Sequence, residues 1–197
     1  AFTIWIAIAD VAHYVRPGSD LDREARKRGN STYFPDRVVP MLPFELSADA
    51  CSLKEGQDRQ CLAVEIHFDK SGTKRSHRFL RAVMRSAGAL SYEAAKAAID
   101  GRQSKRAAAH LEPVLKPLWA AYEALSLSRA RRAPLALDLP ERKVMISEDG
   151  VVEGIRTKDR FDAHKLIEEF MIQANVCAAE ELEKHKVARL YRVHDSP

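Results

Sequence analysis

Arg28-Gly29-Asn30-Ser31-Thr32-Tyr33-Phe34-Pro35-Asp36-Arg37-Val38-Val39-Pro40-Met41-Leu42-Pro43 is the stretch around which the rest of the chain is organised. Gly29 can close a helix in the left-handed conformation, and Asn30 and Ser31 tolerate a turn. Pro35, Pro40 and Pro43 forbid a continuous helix and direct a stiff, extended path across a surface. Such a path leaves two uses for Tyr33. Flanked by Arg28 and Arg37, its ring could stack a nucleobase while the guanidinium groups hold phosphate, a common grip on single-stranded nucleic acid. Beside Phe34 and Pro35 it could equally serve as packing.

Upstream, Phe2, Ile4, Ile6 and Ile8 share one side of a strand while Trp5, Ala7 and Ala9 share the other. Both sides are apolar, which predicts a central strand. Pro17-Gly18 breaks it, and Ser19 is a good N-cap with Asp22 three residues on, so the pattern predicts a helix over 20–28 closed by Gly29. Downstream, Leu62, Val64, Ile66 and Phe68 alternate, Ser71-Gly72 supplies a turn, and Arg78 to Arg85 returns as the second strand of a hairpin. Ser91 caps a helix from Tyr92 to Asp100 that ends at Gly101. Arg102 to Arg106 has no apolar anchor and reads as a linker.

A second helical stretch runs over 107–131, with Leu111, Leu115, Leu118, Trp119, Tyr122 and Leu125 near helical spacing. Pro113 and Pro117 imply a new start or a kink within it. Val144 and Ile146, the Glu148-Asp149-Gly150 turn, and Val152 with Ile155 form another hairpin, and a helix over 162–184 follows. The class is α+β, a mixed sheet with hairpins and flanking helices. On the last helix Ala163, Leu166, Ile167, Phe170, Met171, Ala174 and Cys177 make an apolar stripe, with His164, Glu168 and Asn175 along one edge of it. His164 and Glu168 have the spacing of a metal-ligand pair, but two ligands make no site, and no metal is assigned there.

A chain of 197 residues has single-domain length. With 32 Lys+Arg against 28 Asp+Glu the net charge is only +4, so affinity for nucleic acid must come from clustering. The clusters are Arg23 to Arg28, Lys74 to Arg85 and Arg129 to Arg132, and each also fits an ordinary solvated face. Cys51, Cys61 and Cys177 form no C-x-x-C pair, which suggests neither a disulfide framework nor structural zinc and fits a reducing, cytoplasmic setting. The apolar run Ile4 to Ala9 is too short to span a bilayer, so a soluble protein is expected. The chain opens on a strand and stops at His194-Asp195-Ser196-Pro197, and a piece of a larger polypeptide is expected.

Two blocks carry a resemblance. The first includes Ile8-Ala9-Asp10-Val11-Ala12-His13-Tyr14-Val15, Leu21-Asp22-Arg23-Glu24-Ala25, Gly29 to Pro35, Val39 to Pro43, and Leu46-Ser47 through Cys51-Ser52-Leu53. The second is Asp162-Ala163-His164-Lys165-Leu166-Ile167-Glu168-Glu169-Phe170-Met171-Ile172-Gln173-Ala174-Asn175, followed by Leu190-Tyr191-Arg192-Val193-His194. Together they resemble the RNB-type catalytic domain of the ribonuclease II and ribonuclease R family of 3′-to-5′ exoribonucleases, the ribonuclease R branch being the nearer. The intervening region is collinear with the family, so the resemblance covers essentially the whole chain as a middle part of that domain.

The resemblance implies hydrolysis of single-stranded RNA to nucleoside 5′-monophosphates with divalent ions, usually Mg²⁺, held by clustered aspartates. In the family pattern that aspartate motif precedes the strand near Phe2, outside this sequence. No catalytic or metal residue is therefore assigned, and these 197 residues alone are expected to be inactive. Upstream cold-shock-type and downstream S1-type RNA-binding domains are implied as partners on the same polypeptide. Tyr33 matches the tyrosine that clamps the 3′-terminal nucleotide, and Glu168 matches a glutamate that contacts it. Where the family commonly has a base-sandwiching phenylalanine, this sequence has Leu135-Ala136-Leu137-Asp138. Asp10 is given a structural hydrogen-bonding role, and His13, Arg192 and His194 are left without one. The alternative is an autonomous, non-catalytic module that binds RNA or protein.

Overall fold

The computed structural model describes residues 1–102, 105–131, 141–157 and 160–191. Strand β1 (Phe2–Ala9) pairs antiparallel with β4 (Asp58–Phe68), which pairs antiparallel with β5 (Lys74–Arg85). Between β1 and β4 lie a single helical turn, α1 (Val11–Tyr14), then α2 (Asp20–Arg28), the two-residue strands β2 (Thr32–Tyr33) and β3 (Val38–Val39), and a wide turn at Glu45–Ala50. After β5 come α3 (Tyr92–Ile99), α4 (Lys105–His110), a wide turn at Leu111–Leu115, and α5 (Lys116–Ala130). The hairpin β6 (Arg142–Ile146) and β7 (Val152–Thr157) precedes the long helix α6 (Asp162–Lys184). The architecture is α+β, and no helix among the described residues is long and apolar enough to cross a membrane.

Helices α5 and α6 cover one face of the three-stranded sheet. Ile4, Val64, Ile66 and Phe68 of the sheet meet Ala121 and Leu125 of α5 and Leu166, Phe170 and Cys177 of α6. A smaller core of Ala98, Ala107 and Leu115 ties α3, α4 and the wide turn together. The local signals hold at the helix ends. Ser19 Oγ accepts from the Asp22 amide at 3.2 Å at the start of α2, and Ser91 Oγ accepts from the Ala94 amide at 3.2 Å at the start of α3. Pro117 sits in the first turn of α5, the restart that the proline pattern predicts.

Two expectations are corrected. The apolar character of both its faces predicts β1 as the central strand, but among the described residues β4 takes the centre of the sheet, and Trp5 and Ile8 of β1 are 53% and 57% exposed. The helices reach Ile4 and leave the Ile8 end of the strand uncovered. The linker expected over Arg102 to Arg106 is partly helix. Arg106 lies in α4 and donates to Glu55 Oε2 at 2.7 Å, and the burial of Ala107 supplies the apolar anchor one residue beyond the stretch.

The β4–β5 turn is organised by Asp69, whose Oδ1 accepts from the Ser71 hydroxyl at 2.6 Å, the Ser71 amide at 2.8 Å and the Thr73 amide at 3.0 Å. These donors, led by the Ser71 hydroxyl and the Thr73 amide and joined by Arg75, hold its carboxyl far below the ordinary 3.8. A carboxyl depressed in the folded state contributes stability that is complete above the unfolded value and is lost as pH falls toward the folded one. Stability is therefore expected to drop from about pH 4 downward. Asp69→Asn should make that drop shallower, as read by urea denaturation of both proteins across the acid range. An identical acid profile for the two would remove Asp69 from the account.

The basic run on β5 is neutralised across the strands. Arg75 pairs with Asp69 at 2.5 Å, Arg78 with Glu65 at 2.7 Å, Arg81 with Asp10 at 3.0 Å and Arg85 with Asp58 at 2.7 Å. It is a paired surface and not a free track for phosphates. Asp10 is buried, and besides Arg81 its amide donates to the Gln60 carbonyl at 3.1 Å, so it fastens the end of β1 to the sheet.

Candidate nucleic-acid interface

The proline-punctuated stretch differs from a simple extended path in one respect. Its two legs pair as β2 and β3, with Thr32 opposite Val39 and Tyr33 opposite Val38, and the Phe34 amide donates to the Arg37 carbonyl at 2.8 Å to close a turn over Pro35 and Asp36. Local pairing satisfies backbone groups that an extended strand would leave open. Ser31 Oγ accepts from the Met41 amide at 2.9 Å and ties the two ends of the hairpin together, and Arg28 Nη1 donates to the Pro40 carbonyl at 3.2 Å and ties the second leg to the end of α2.

Tyr33 stands out from this frame at 78% exposure. Its side chain makes no hydrogen bond and no ring contact among the described residues. The packing use of Tyr33 is thus not realised within them, whereas the ring face is open. The arginines beside it are engaged: Arg37 lies 4.9 Å from the Phe34 ring centroid and pairs with Asp36 at 2.8 Å, and Arg28 pairs with Glu24 at 2.9 Å. Behind the hairpin a groove of about 320 Å³ is lined by Leu21, Arg28, Met41 and Phe44 among others.

The second element is the first half of α6. Its buried face carries Ala163, Leu166, Glu169, Phe170, Gln173 and Cys177, whereas Ile167 and Met171 are exposed. This corrects the expected stripe. A count of apolar residues places Ile167 and Met171 inside, but Arg129 on α5 supplies a partner that lets a carboxylate occupy the buried position instead. Glu169 is 1% exposed; Arg129 Nη1 donates to its Oε2 at 3.0 Å, and Gln173 Nε2 donates to its Oε1 at 3.0 Å.

Glu168, the neighbour of Glu169, lies half-buried at the edge of that face. Arg160 Nη2 donates to Glu168 Oε2 at 2.6 Å, and Arg129 Nη1 stands 3.9 Å from Glu168 Oε1. His164, one turn earlier, is structural. Its Nδ1 accepts the Phe161 amide at 3.1 Å, and its ring stacks on Tyr92 at 3.9 Å between centroids. That bond places the proton of the neutral ring on Nε2 and makes His164 the cap of α6. Asn175 is exposed further along the same helix.

Tyr33 and Glu168 share no hydrogen bond or ring contact, so each is held by its own support. Arg129 enters the sequence reading only within the basic cluster Arg129 to Arg132, and Arg160, Glu169 and Gln173 carry no functional assignment there. The one available signal was the doubled glutamate after an apolar pair in Leu166-Ile167-Glu168-Glu169. His13 is exposed beside Tyr14, while Leu135 to Asp138, Arg192 and His194 lie outside the described residues. Among the described residues no three His, Cys, Asp or Glu side chains converge to hold a metal ion. They do not fit the divalent ion that the resemblance implies.

A family model for the RNB domain matches residues 1–197. The chain belongs to the RNB-domain family. Ribonuclease R of Vibrio parahaemolyticus is 43% identical over 197 residues, covering 98% of this RNB chain and 23% of the relative. Ribonuclease R of Escherichia coli is 42% identical over 195 residues, with 98% and 24% covered. The solved structure of Mycoplasma genitalium RNase R in complex with ribose methylated single-stranded RNA superposes with a TM-score of 0.93 at 31% identity, covering 100% of this chain and 31% of that one. This RNB chain therefore spans about a quarter of the length of the curated relatives it matches.

Proposed function

We propose that this chain is part of a 3′-to-5′ exoribonuclease that hydrolyses single-stranded RNA to nucleoside 5′-monophosphates, and that it supplies part of the RNA channel. The observation that carries the reading is the ring of Tyr33, 78% exposed on a proline-stiffened hairpin in a chain similar to ribonuclease R. An open aromatic face stacks on any base, which suits an enzyme that must accept every sequence. Tyr33 holds the 3′-terminal base, and Glu168 accepts a hydrogen bond from a hydroxyl or amino group of the terminal nucleotide.

A carboxylate near RNA is repelled by phosphate, and the flanking Arg129 and Arg160 offset that charge. Mg²⁺, held by residues outside this sequence, is the divalent ion proposed for the whole polypeptide. Cold-shock-type and S1-type domains on the same polypeptide and a cytoplasmic location complete the proposal. No observation favours the autonomous, non-catalytic module.

The test uses the full-length polypeptide with 5′-labelled single-stranded RNA and Mg²⁺. Stepwise shortening from the 3′ end with release of mononucleotides is expected. The 197 residues alone should release none. Internal cleavage, or an intact substrate with the full-length protein, would overturn the reading.

A further inference from the structure

We propose that Arg129 is a positioning residue for Glu168, fixed in turn by the buried pair Glu169 and Gln173. The proposal rests on the reading of Glu168 as a contact to the terminal nucleotide. The chain of contacts begins inside the protein. Glu169 is all but inaccessible, and both of its oxygens are held, one by Gln173 Nε2 at 3.0 Å and the other by Arg129 Nη1 at 3.0 Å. A buried carboxylate held at both ends has little freedom, so the guanidinium that answers it is fixed as well.

Arg129 belongs to α5 and Glu169 to α6, so their pair also sets the spacing of the two helices where Glu168 emerges. From its fixed place Arg129 Nη1 faces Glu168 Oε1 at 3.9 Å, within ion-pair reach but beyond a hydrogen bond, while Arg160 holds the other oxygen, Oε2, at 2.6 Å. Glu168 Oε1 is thereby steered by charge and left with an open lone pair. An incoming hydroxyl or amino group finds that oxygen already oriented. Among the described residues the carboxylate without Arg129 would be held only by Arg160, which precedes α6 and is exposed. It would then pay the cost of ordering at the moment of binding.

Lysine at position 129 keeps a positive charge for Glu169 but is a single point donor on a flexible stem and cannot serve two carboxylates in a fixed geometry. The experiment compares the full-length protein, Glu168→Gln, Arg129→Lys and the double variant. Affinity is measured for a short and a long single-stranded RNA in a chelator, which prevents hydrolysis. For the short RNA each single variant should bind roughly tenfold more weakly, the worth of about one charge-assisted hydrogen bond. The double variant should bind no more weakly than either single one, because both remove the same contact.

Affinity for the long RNA should change little, since phosphate contacts along the strand still hold it. A purely structural role for Arg129 predicts equal losses for both lengths and losses that add to those of Glu168→Gln, and that result overturns the proposal. Wild-type binding by Arg129→Lys alongside weakened binding by Glu168→Gln also overturns it. Unchanged binding by Glu168→Gln would instead remove the reading of Glu168 itself, and the proposal with it. Should Arg129→Lys fail to fold, Glu169→Gln takes its place, and the same non-additivity with Glu168→Gln is required.

Discussion

Tyr33→Ala in the full-length polypeptide is expected to leave longer end products from single-stranded RNA than the unsubstituted protein leaves. Removing the ring forfeits stacking worth about 1–3 kcal/mol per base. A long RNA is still held through its phosphates, so the loss shows when only the last few nucleotides remain and the end clamp carries the binding. Tyr33→Phe should give the unsubstituted product length, because stacking uses the ring face and Tyr33 makes no side-chain hydrogen bond among the described residues that Phe would lose. Because Tyr33 is 78% exposed, Ala should shift stability by no more than about 0.5 kcal/mol. Sizing the end products on a gel beside the melting curves decides the matter. Unsubstituted product length from Tyr33→Ala would end the clamp assignment.

Gly72→Ala is expected to destabilise the fold by about 2–5 kcal/mol, summing backbone strain and overpacking. Gly72 has a φ of 77°, and a Cβ there would collide with the Ala124 carbonyl and crowd Ser128 on α5. The partner in that collision is backbone, which cannot step aside without moving the helix off the sheet. Gly150 is the control, since it has a φ of 78° in the β6–β7 turn but open space around it. Gly150→Ala should therefore cost only the strain, about 1–2 kcal/mol. Urea denaturation of the two variants separates the terms, and equal costs would mean that the α5 contact relaxes freely.

Elements whose limits are set by local chemistry were legible in the sequence. Ser19 and Gly29 bound α2, Ser91 begins α3, and Ser71-Gly72 and Asp149-Gly150 turn the two hairpins, because capping and positive φ are properties of a few consecutive residues. What depended on a distant partner was not legible. The burial of Glu169 requires Arg129, forty positions earlier, and a hydropathy pattern assigns that slot to Ile167 or Met171. The outer place of β1 depends on which strand β4 pairs with on its far side, and the sequence of β1 is silent about it.

For the candidate site, the motif pointed to Tyr33 and Glu168, but their surroundings came only with the fold. A two-residue strand has no periodicity from which to tell which way Tyr33 faces. The arginines that hold Glu168 lie on α5 and in the segment before α6, and no local spacing links them to it.

The position of β1 also bears on the order of events as the polypeptide emerges from the ribosome. Phe2 pairs with Phe68 and Ala9 with Cys61, so this strand waits until roughly fifty or more further residues have been made before its partner exists. Strands β4 and β5, joined by the Asp69 turn, can close as a hairpin on their own. Until they do, Ile4, Trp5, Ile6 and Ile8 lack the β4 strand that pairs with them in the fold. An apolar extended segment in that position is the kind that a chaperone binding short hydrophobic peptides during synthesis would shield.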